Sequence, residues 1–267
     1  MKLKTHWVQN IRPVELALLI KKITGNKRIV LNHGKFKFYL DVWSNLYWNL
    51  FNTQLEEIIY EQSWTEFITN FLSPGKTFID LGANEGWFSI YAASKVGKKG
   101  RVFSIEPQKR LAEVIQVNAT LNNFENIIIC NNAITMNPED IFITLSPSLN
   151  TGSSSFIKTN RSFFWKKQKT TSKTLDDIVR EHNLNSIELI KIDIEGYELF
   201  ALKSGEELLR KKIIKNILID FHENQLNNLG TSTKEIKSYL TALGYIQKRY
   251  NNVDYFSSEI EHSSRPI

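Results

Sequence analysis

The sequence predicts an α/β fold: a mostly parallel sheet covered by helices on both faces and closed by an antiparallel C-terminal hairpin. Three observations predict it. From Thr77 onward, short apolar runs alternate with helical patterns, the signature of parallel strands joined by crossover helices. The stretch Thr77–Ile90 passes from an apolar run through a turn with two glycines, Gly82 and Gly86, into a helical pattern. Near the end, Tyr245–Tyr250 and Val253–Phe256 read as two strands of a hairpin.

In chain order, residues 1–76 form an extension ahead of the sheet. Pro13–Ile20 has helical spacing, and Phe36–Leu40 alternates as a strand after the Asn32-His33-Gly34 turn. Trp43–Leu72 is helical and rich in aromatic residues that suit a core or an interface. Ser73-Pro74-Gly75 breaks the pattern. Strands are expected at 77–81, Arg101–Glu106 and Asn126–Asn131. Helices are expected over Glu85–Val96 and Gln108–Asn122. A further strand is expected at Ile141–Leu145.

Residues 146–172 read as irregular. Their basic-aromatic run Arg161–Lys167 is either a lid over a substrate or a solvent loop. Thr174 caps a short helix reaching His182. Ser186–Asp193 and Ile213–Phe221 are expected strands, and Leu199–Lys212 and Thr233–Leu243 expected helices. The α/β domain thus spans 77–257, and 258–267 is a loose polar tail.

The candidate chemistry collects at strand ends, where ligands of open parallel sheets sit. Asp80 ends the first strand of the domain, and the order Asp-x-Gly-x-Asn-x-Gly, Asp80 to Gly86, is not the dinucleotide fingerprint. A carboxylate before a short glycine turn suits a ligand with a cationic or polar end, although an ordinary strand-to-helix turn needs glycines too. Glu106 ends the next strand, 20 positions after Gly86, where a carboxylate can accept both hydroxyls of a ribose. Asn131-Asn132 follow the third strand; an amide there reads an adenine edge or simply makes a turn.

Asp193 and Glu195 lie two apart and share a face while the backbone stays extended. Asp220, His222 and Glu223 close the last long strand. His222 is the natural base at neutral pH, or else a hydrogen-bonded structural histidine. Asp193, Glu195, His222 and Glu223 are a chemically sound ligand set but lack metal-ligand spacing, and no metal is expected.

The chain has 267 residues, enough for a sizeable core, and a formal net charge of +6 from 34 basic and 28 acidic residues. That mild excess does not demand nucleic acid, and none is expected as a partner. The single cysteine, Cys130, lies in an apolar run and reads as a small buried hydrophobe. A chain with one cysteine suits a reducing compartment, and the cytoplasm is the expected location. No apolar run approaches a membrane span. Val14–Ile20, interrupted by Glu15, does not read as a signal peptide.

Five stretches together resemble the FkbM-type S-adenosylmethionine-dependent methyltransferases. They are Phe78–Gly86, Ser104–Pro107, Thr174–Asp177, Ile190–Glu198 and Leu218–Glu223. They occur in the family's order over roughly residues 38–225; residues 156–170 and the first 35 have no counterpart. The resemblance implies a class I methyltransferase (Rossmann-like) fold, with a seven-stranded sheet. It also implies S-adenosyl-L-methionine as cofactor and methyl transfer to a hydroxyl of a sugar, glycan or small natural product.

Carried over by position, Asp80, Gly82, Asn84 and Gly86 line the methionine end of the cofactor, Glu106 holds its ribose and Asn132 lies near its adenine. Asp193 closes the pocket near the reacting centre. His222, assisted by Glu195 or Glu223, is the expected base, with Glu195 and Glu223 facing the acceptor. The sulfonium is expected to have carboxylates and carbonyls around it and no lysine nearby. Two rival readings remain at this point: an NAD-dependent oxidoreductase, disfavoured by the missing third glycine, and a non-catalytic binding module of the same fold.

Overall fold

The computed structural model describes residues 27–42, 44, 46–47, 49–50, 61–144 and 167–259. The helix expected at Pro13–Ile20, part of the aromatic region after Trp43, most of the irregular segment from 146 and the end of the tail lie outside the described residues.

Seven strands form the central sheet. In chain order they are β3 (Thr77–Leu81), β4 (Arg101–Ile105), β5 (Ile127–Cys130), β9 (Leu189–Ile192), β10 (Asn216–Ile219), β11 (Ile246–Tyr250) and β12 (Val253–Ser257). Their spatial order is β11-β12-β10-β9-β3-β4-β5. Strands β10, β9, β3, β4 and β5 pair in parallel, and β12 runs antiparallel between β10 and β11. The expected mostly parallel sheet with a terminal hairpin is what forms. From β3 the chain first builds outward through β4 and β5, then returns to build β9 and β10 on the other side. The order therefore reverses between β3 and β9, and a crevice opens beyond their carboxyl ends.

Side chains alternate across the sheet and feed two cores. Ile79, Leu81, Ile190, Ile192, Ile217 and Ile219 face one core, which also takes in α4 (Leu175–Glu181), α5 (Glu198–Lys203), α6 (Glu206–Arg210) and α8 (Thr233–Ala242). Phe78, Val102, Leu189 and Leu218 face the other, with α1 (Gln62–Phe71) and α2 (Trp87–Val96); α3 (Lys109–Leu121) links β4 to β5. Each buried aliphatic side chain contributes ~1.5–3 kcal/mol, so a sheet covered on both faces is the stable outcome of these runs. The hairpin β1 (Arg28–His33) with β2 (Phe36–Asp41) joins the second core through Phe36, Phe38 and Leu40. Phe38 stacks on Trp87, with ring centroids 4.9 Å apart.

Several elements differ from expectation. Helix α2 starts at Trp87 rather than Glu85, because Asn84 (φ 51°) and Gly86 (φ 86°) hold left-handed conformations that a helix cannot contain. The helix expected over 199–212 divides into α5 and α6 at Ser204-Gly205. A Cβ on Gly205 would meet Leu175 Cδ2 at 2.9 Å, and Ser204 Oγ accepts from Leu175 N–H at 3.0 Å, so the break lets α4 dock.

Part of the segment expected to be irregular is a strand, β8 (Lys167–Lys173). It lies between β6 (Ala133–Ile134) and β7 (Asp140–Thr144) in a three-stranded sheet. A short helix, α7 (Glu223–Asn228), follows β10 where none was expected. The Thr174 cap is present as a capping box: its hydroxyl accepts from Asp177 N–H at 2.9 Å, and Asp177 Oδ2 accepts from Thr174 N–H at 3.1 Å. Among the described residues, no helix is long and apolar enough to cross a membrane.

Candidate functional site

A crevice opens beyond the carboxyl ends of β3, β4 and β9. Gly82, Asn84, Glu106, Asn132, Asp193 and Glu195, all named from the sequence, line it.

At one end stands Glu106, just past β4 and 4% exposed. Its Oε2 accepts from Asn84 N–H and its Oε1 from Gln108 N–H, each at 2.9 Å. Burial pushes this carboxyl up to about 7; the two N–H bonds and the charges of Arg110 and Lys191 oppose the rise. The left-handed Asn84 turns its N–H toward Glu106 and leaves its own side-chain Oδ1 buried with no protein hydrogen bond. An orphaned acceptor in the wall fits a ligand bearing donor groups. Asn132 lines the same end, its amide donating to Thr171 Oγ1 at 2.7 Å. Gln168 Nε2 donates to Pro107 carbonyl at 2.8 Å, so β8 braces this wall. Nothing in the sequence pattern pointed to Gln168 or Thr171.

Two expected cavity residues stand behind the wall instead. Asp80 is wholly buried; its Oδ2 accepts from Ser89 Oγ at 2.7 Å, and Ser89 in turn accepts from Ser104 Oγ at 2.7 Å. Gly86 packs on the side chain of Ile115, where a Cβ would come within 3.2 Å. Gly82 does line the crevice, but its close approach is to protein: a Cβ there would lie 1.9 Å from the Asp193 carbonyl oxygen. The expectation of no lysine at this end is corrected by Lys191, in the middle of β9. Its ammonium lies 3.2 Å from Asp193 Oδ2, 3.2 Å from the Gly82 carbonyl and 3.3 Å from Asp80 Oδ1.

At the other end an acid–base cluster forms. The chain leaves β9 at Ile192, and Glu195 adopts φ 54°, so the backbone turns here rather than staying extended. Both carboxylates nonetheless reach His222: Nε2 lies 3.6 Å from Asp193 Oδ1 and 3.9 Å from Glu195 Oε2. On its far side, Nδ1 lies 3.0 Å from Oε1 of the wholly buried Glu198, which also accepts from Gly196 N–H at 3.0 Å. That contact assigns the proton to Nδ1 and aims Nε2 at the carboxylates.

Burial alone would lower the imidazole. The bond to Glu198 and the charges of Glu195 and Asp193 outweigh it and push His222 up to about 9. Burial pushes Glu195 up to about 7, against the charge of His222. Three carboxylates around His222 thus favour its imidazolium form, against the free base expected from the sequence. Glu195 also accepts from Gln225 Nε2 at 2.8 Å. Glu223, expected at the acceptor, is exposed and bonds Thr233 instead. Asp193, Asp220 and His222 offer ligand atoms within 4.8 Å of one another, a different grouping from the four residues weighed from the sequence.

Comparison with known proteins adds the chemistry. Residues 80–246 match the methyltransferase FkbM domain. Methyltransferase sdnD of Sordaria araneosa is 24% identical over 197 residues, which are 62% of this chain and 75% of that protein. Ribosomal RNA large subunit methyltransferase E of Buchnera aphidicola is 39% identical over 110 residues, 39% of this chain and 48% of that protein. Among solved structures, a SAM-dependent methyltransferase of Aquifex aeolicus aligns with TM-score 0.42 and 18% identity over 76% of this chain and 89% of that one. A SAM-dependent O-methyltransferase of Thermotoga maritima aligns with TM-score 0.44 and 14% identity over 80% of this chain and 72% of that one.

Proposed function

The chain belongs to the FkbM methyltransferase family, a SAM-dependent methyltransferase, and from that premise we propose that it transfers the methyl group to a hydroxyl oxygen of a sugar, glycan or small natural product. Membership displaces the oxidoreductase reading. The observation that carries the proposal is the pairing of Glu195, which lines the crevice, with His222 Nε2 at 3.9 Å.

S-adenosylmethionine, when bound, supplies an electrophilic methyl group on a sulfonium. The residues present fit it: Glu106 would accept from the ribose hydroxyls, Asn84 Oδ1 would take a donor, Asn132 would meet the adenine and Asp193 would offer a carboxylate to the cationic end. With a donor and an acceptor held in line, most of the rate comes from positioning. A hydroxyl nucleophile must also lose its proton. In this reading Glu195 takes it: a carboxyl pushed up to about 7 is half-ionised near neutral pH and basic enough to accept. His222 is the positive partner that keeps Glu195 ionised, and Glu198 holds the ring in place. Asp193 neutralises the other side of the imidazole.

The test is incubation of the enzyme with ¹³C-methyl-labelled donor and separate panels of hydroxylated sugars, small aglycones and RNA. Mass spectrometry reads the gain of one methyl group and carbon NMR its bonding partner. A methoxy carbon on a sugar or small molecule is the expected result. Label on nitrogen, on carbon or on RNA overturns the proposal. Absence of any S-adenosylhomocysteine affinity would restore the binding-module reading.

A further inference from the structure

Lys191 sits where a lysine is hard to accommodate. Strand β9 reads Leu-Ile-Lys-Ile and all four residues are buried; Lys191 itself is 2% exposed. Sheet register makes the position intelligible. Lys191 is the direct neighbour of Asp80 on β3, and Asp80 of Ser104 on β4, so the three polar residues form one row on a single face. That row lies over α2, where Ser89 bonds Asp80 and the Phe88 ring centroid lies 5.2 Å from the Lys191 ammonium. Buried charge persists only when paired, and Lys191 is paired twice, with Asp80 and Asp193.

The two partners differ in place. Asp193 lines the crevice and its side chain is 33% exposed; Asp80 is sealed behind the wall. The ammonium therefore stands one layer behind the Gly82 carbonyl and the Asp193 carboxylate, both at 3.2 Å. Its charge also reaches the far end of the cavity, where it helps hold Glu106 down against the effect of burial and alongside the bonds from Gln108 and Asn84.

We infer that Lys191 is a specificity-determining positioning residue: a fixed cation behind the wall that weakens the cavity's grip on a positively charged sulfonium relative to the neutral thioether left after transfer. The inference rests on the reading that this crevice takes the methyl donor. Carboxylates alone would hold the cationic donor best before reaction and lose that attraction as the charge leaves sulfur. A cation just behind them reverses part of that imbalance, so less ground-state affinity has to be given up on the way to the transition state.

Calorimetric titration of S-adenosylmethionine and S-adenosylhomocysteine into wild type, K191R and the double variant K191M/D80N tests it. The double variant removes the two fully enclosed charges together and leaves Asp193, which is partly exposed, beside His222, and melting curves confirm folding. The ratio of the two dissociation constants is expected to shift about tenfold toward the sulfonium ligand in K191M/D80N, with kcat falling by a similar factor, and to stay near wild type in K191R. A folded double variant with an unchanged ratio, or one that loses both ligands equally, overturns the inference and leaves the cavity reading intact. A wild-type protein that binds neither ligand overturns both.

Discussion

Glu106, buried, and Glu195, half-buried, are two carboxyls of one crevice, each pushed up to about 7. What holds them differs. Glu106 is fixed by two backbone N–H groups that never titrate. Glu195 is fixed by the side chains of Gln225 and His222, and His222 gains or loses its own proton near pH 9. A carboxylate clamped by main chain is suited to holding a ligand in one pose. A carboxylate poised among titrating side chains is suited to exchanging a proton. On the proposed reading, the same residue type thus serves binding at one end and chemistry at the other.

Replacement at the His222 end should give the largest effect and the sharpest contrast. Glu195→Gln keeps shape and the contact with Gln225 but cannot accept a proton. Turnover is expected to fall roughly 10²- to 10⁴-fold, with S-adenosylhomocysteine affinity by calorimetry unchanged. Glu106→Gln should behave in the opposite way. It loses charge-assisted hydrogen bonds, each ~1.5–3 kcal/mol, so affinity should weaken about 10- to 100-fold while kcat at saturation is largely kept. If the two variants show the same split between KM and kcat, the division of labour is wrong.

The pH profile probes the contrast more finely. Glu195 must be ionised to act, so activity should fall about tenfold per unit below its value of about 7 and stay level until His222 deprotonates near 9. These limbs belong to the coupled pair, not to either residue alone. His222→Gln removes the positive charge that holds Glu195 down. The acidic limb should then move upward by about one unit, at a cost of roughly fivefold at pH 7. An unmoved limb would detach His222 from Glu195.

The same division governs what could be seen in the sequence. Glu106, Gly82 and Asn84 were legible because a strand end and left-handed turn residues leave local marks. Asp193 and His222 were legible as strand-end groups, yet His222's protonation was not, since it depends on Glu198 arriving from α5. Asp80 and Gly86 were misplaced because a carboxylate and a glycine look alike whether they face a ligand or the protein. Asp80 answers Lys191, and Gly86 answers Ile115. Strand β8 left no apolar alternation to find: Lys-Gln-Lys-Thr-Thr-Ser-Lys buries Thr170 and Ser172, both polar, on its inner face. Such partners come from register and tertiary contact, which no local pattern encodes.

The smallest expected effect is that of a chelator. Asp193, Asp220 and His222 lie close enough to share a cation, so the cluster invites a metal. Two features count against one. Asp193 Oδ2 already faces the Lys191 ammonium at 3.2 Å, and His222, pushed up to about 9, holds a proton that an incoming metal would have to displace. Glu223, which would have added a fourth donor, is bonded to Thr233. EDTA is therefore expected to change turnover by less than about twofold, and added magnesium or manganese to leave S-adenosylhomocysteine affinity where it was. A chelator-induced loss that a divalent ion restores would turn the His222 end from an acid–base pair into a metal site, and the contrast with Glu106 would have to be redrawn on those terms.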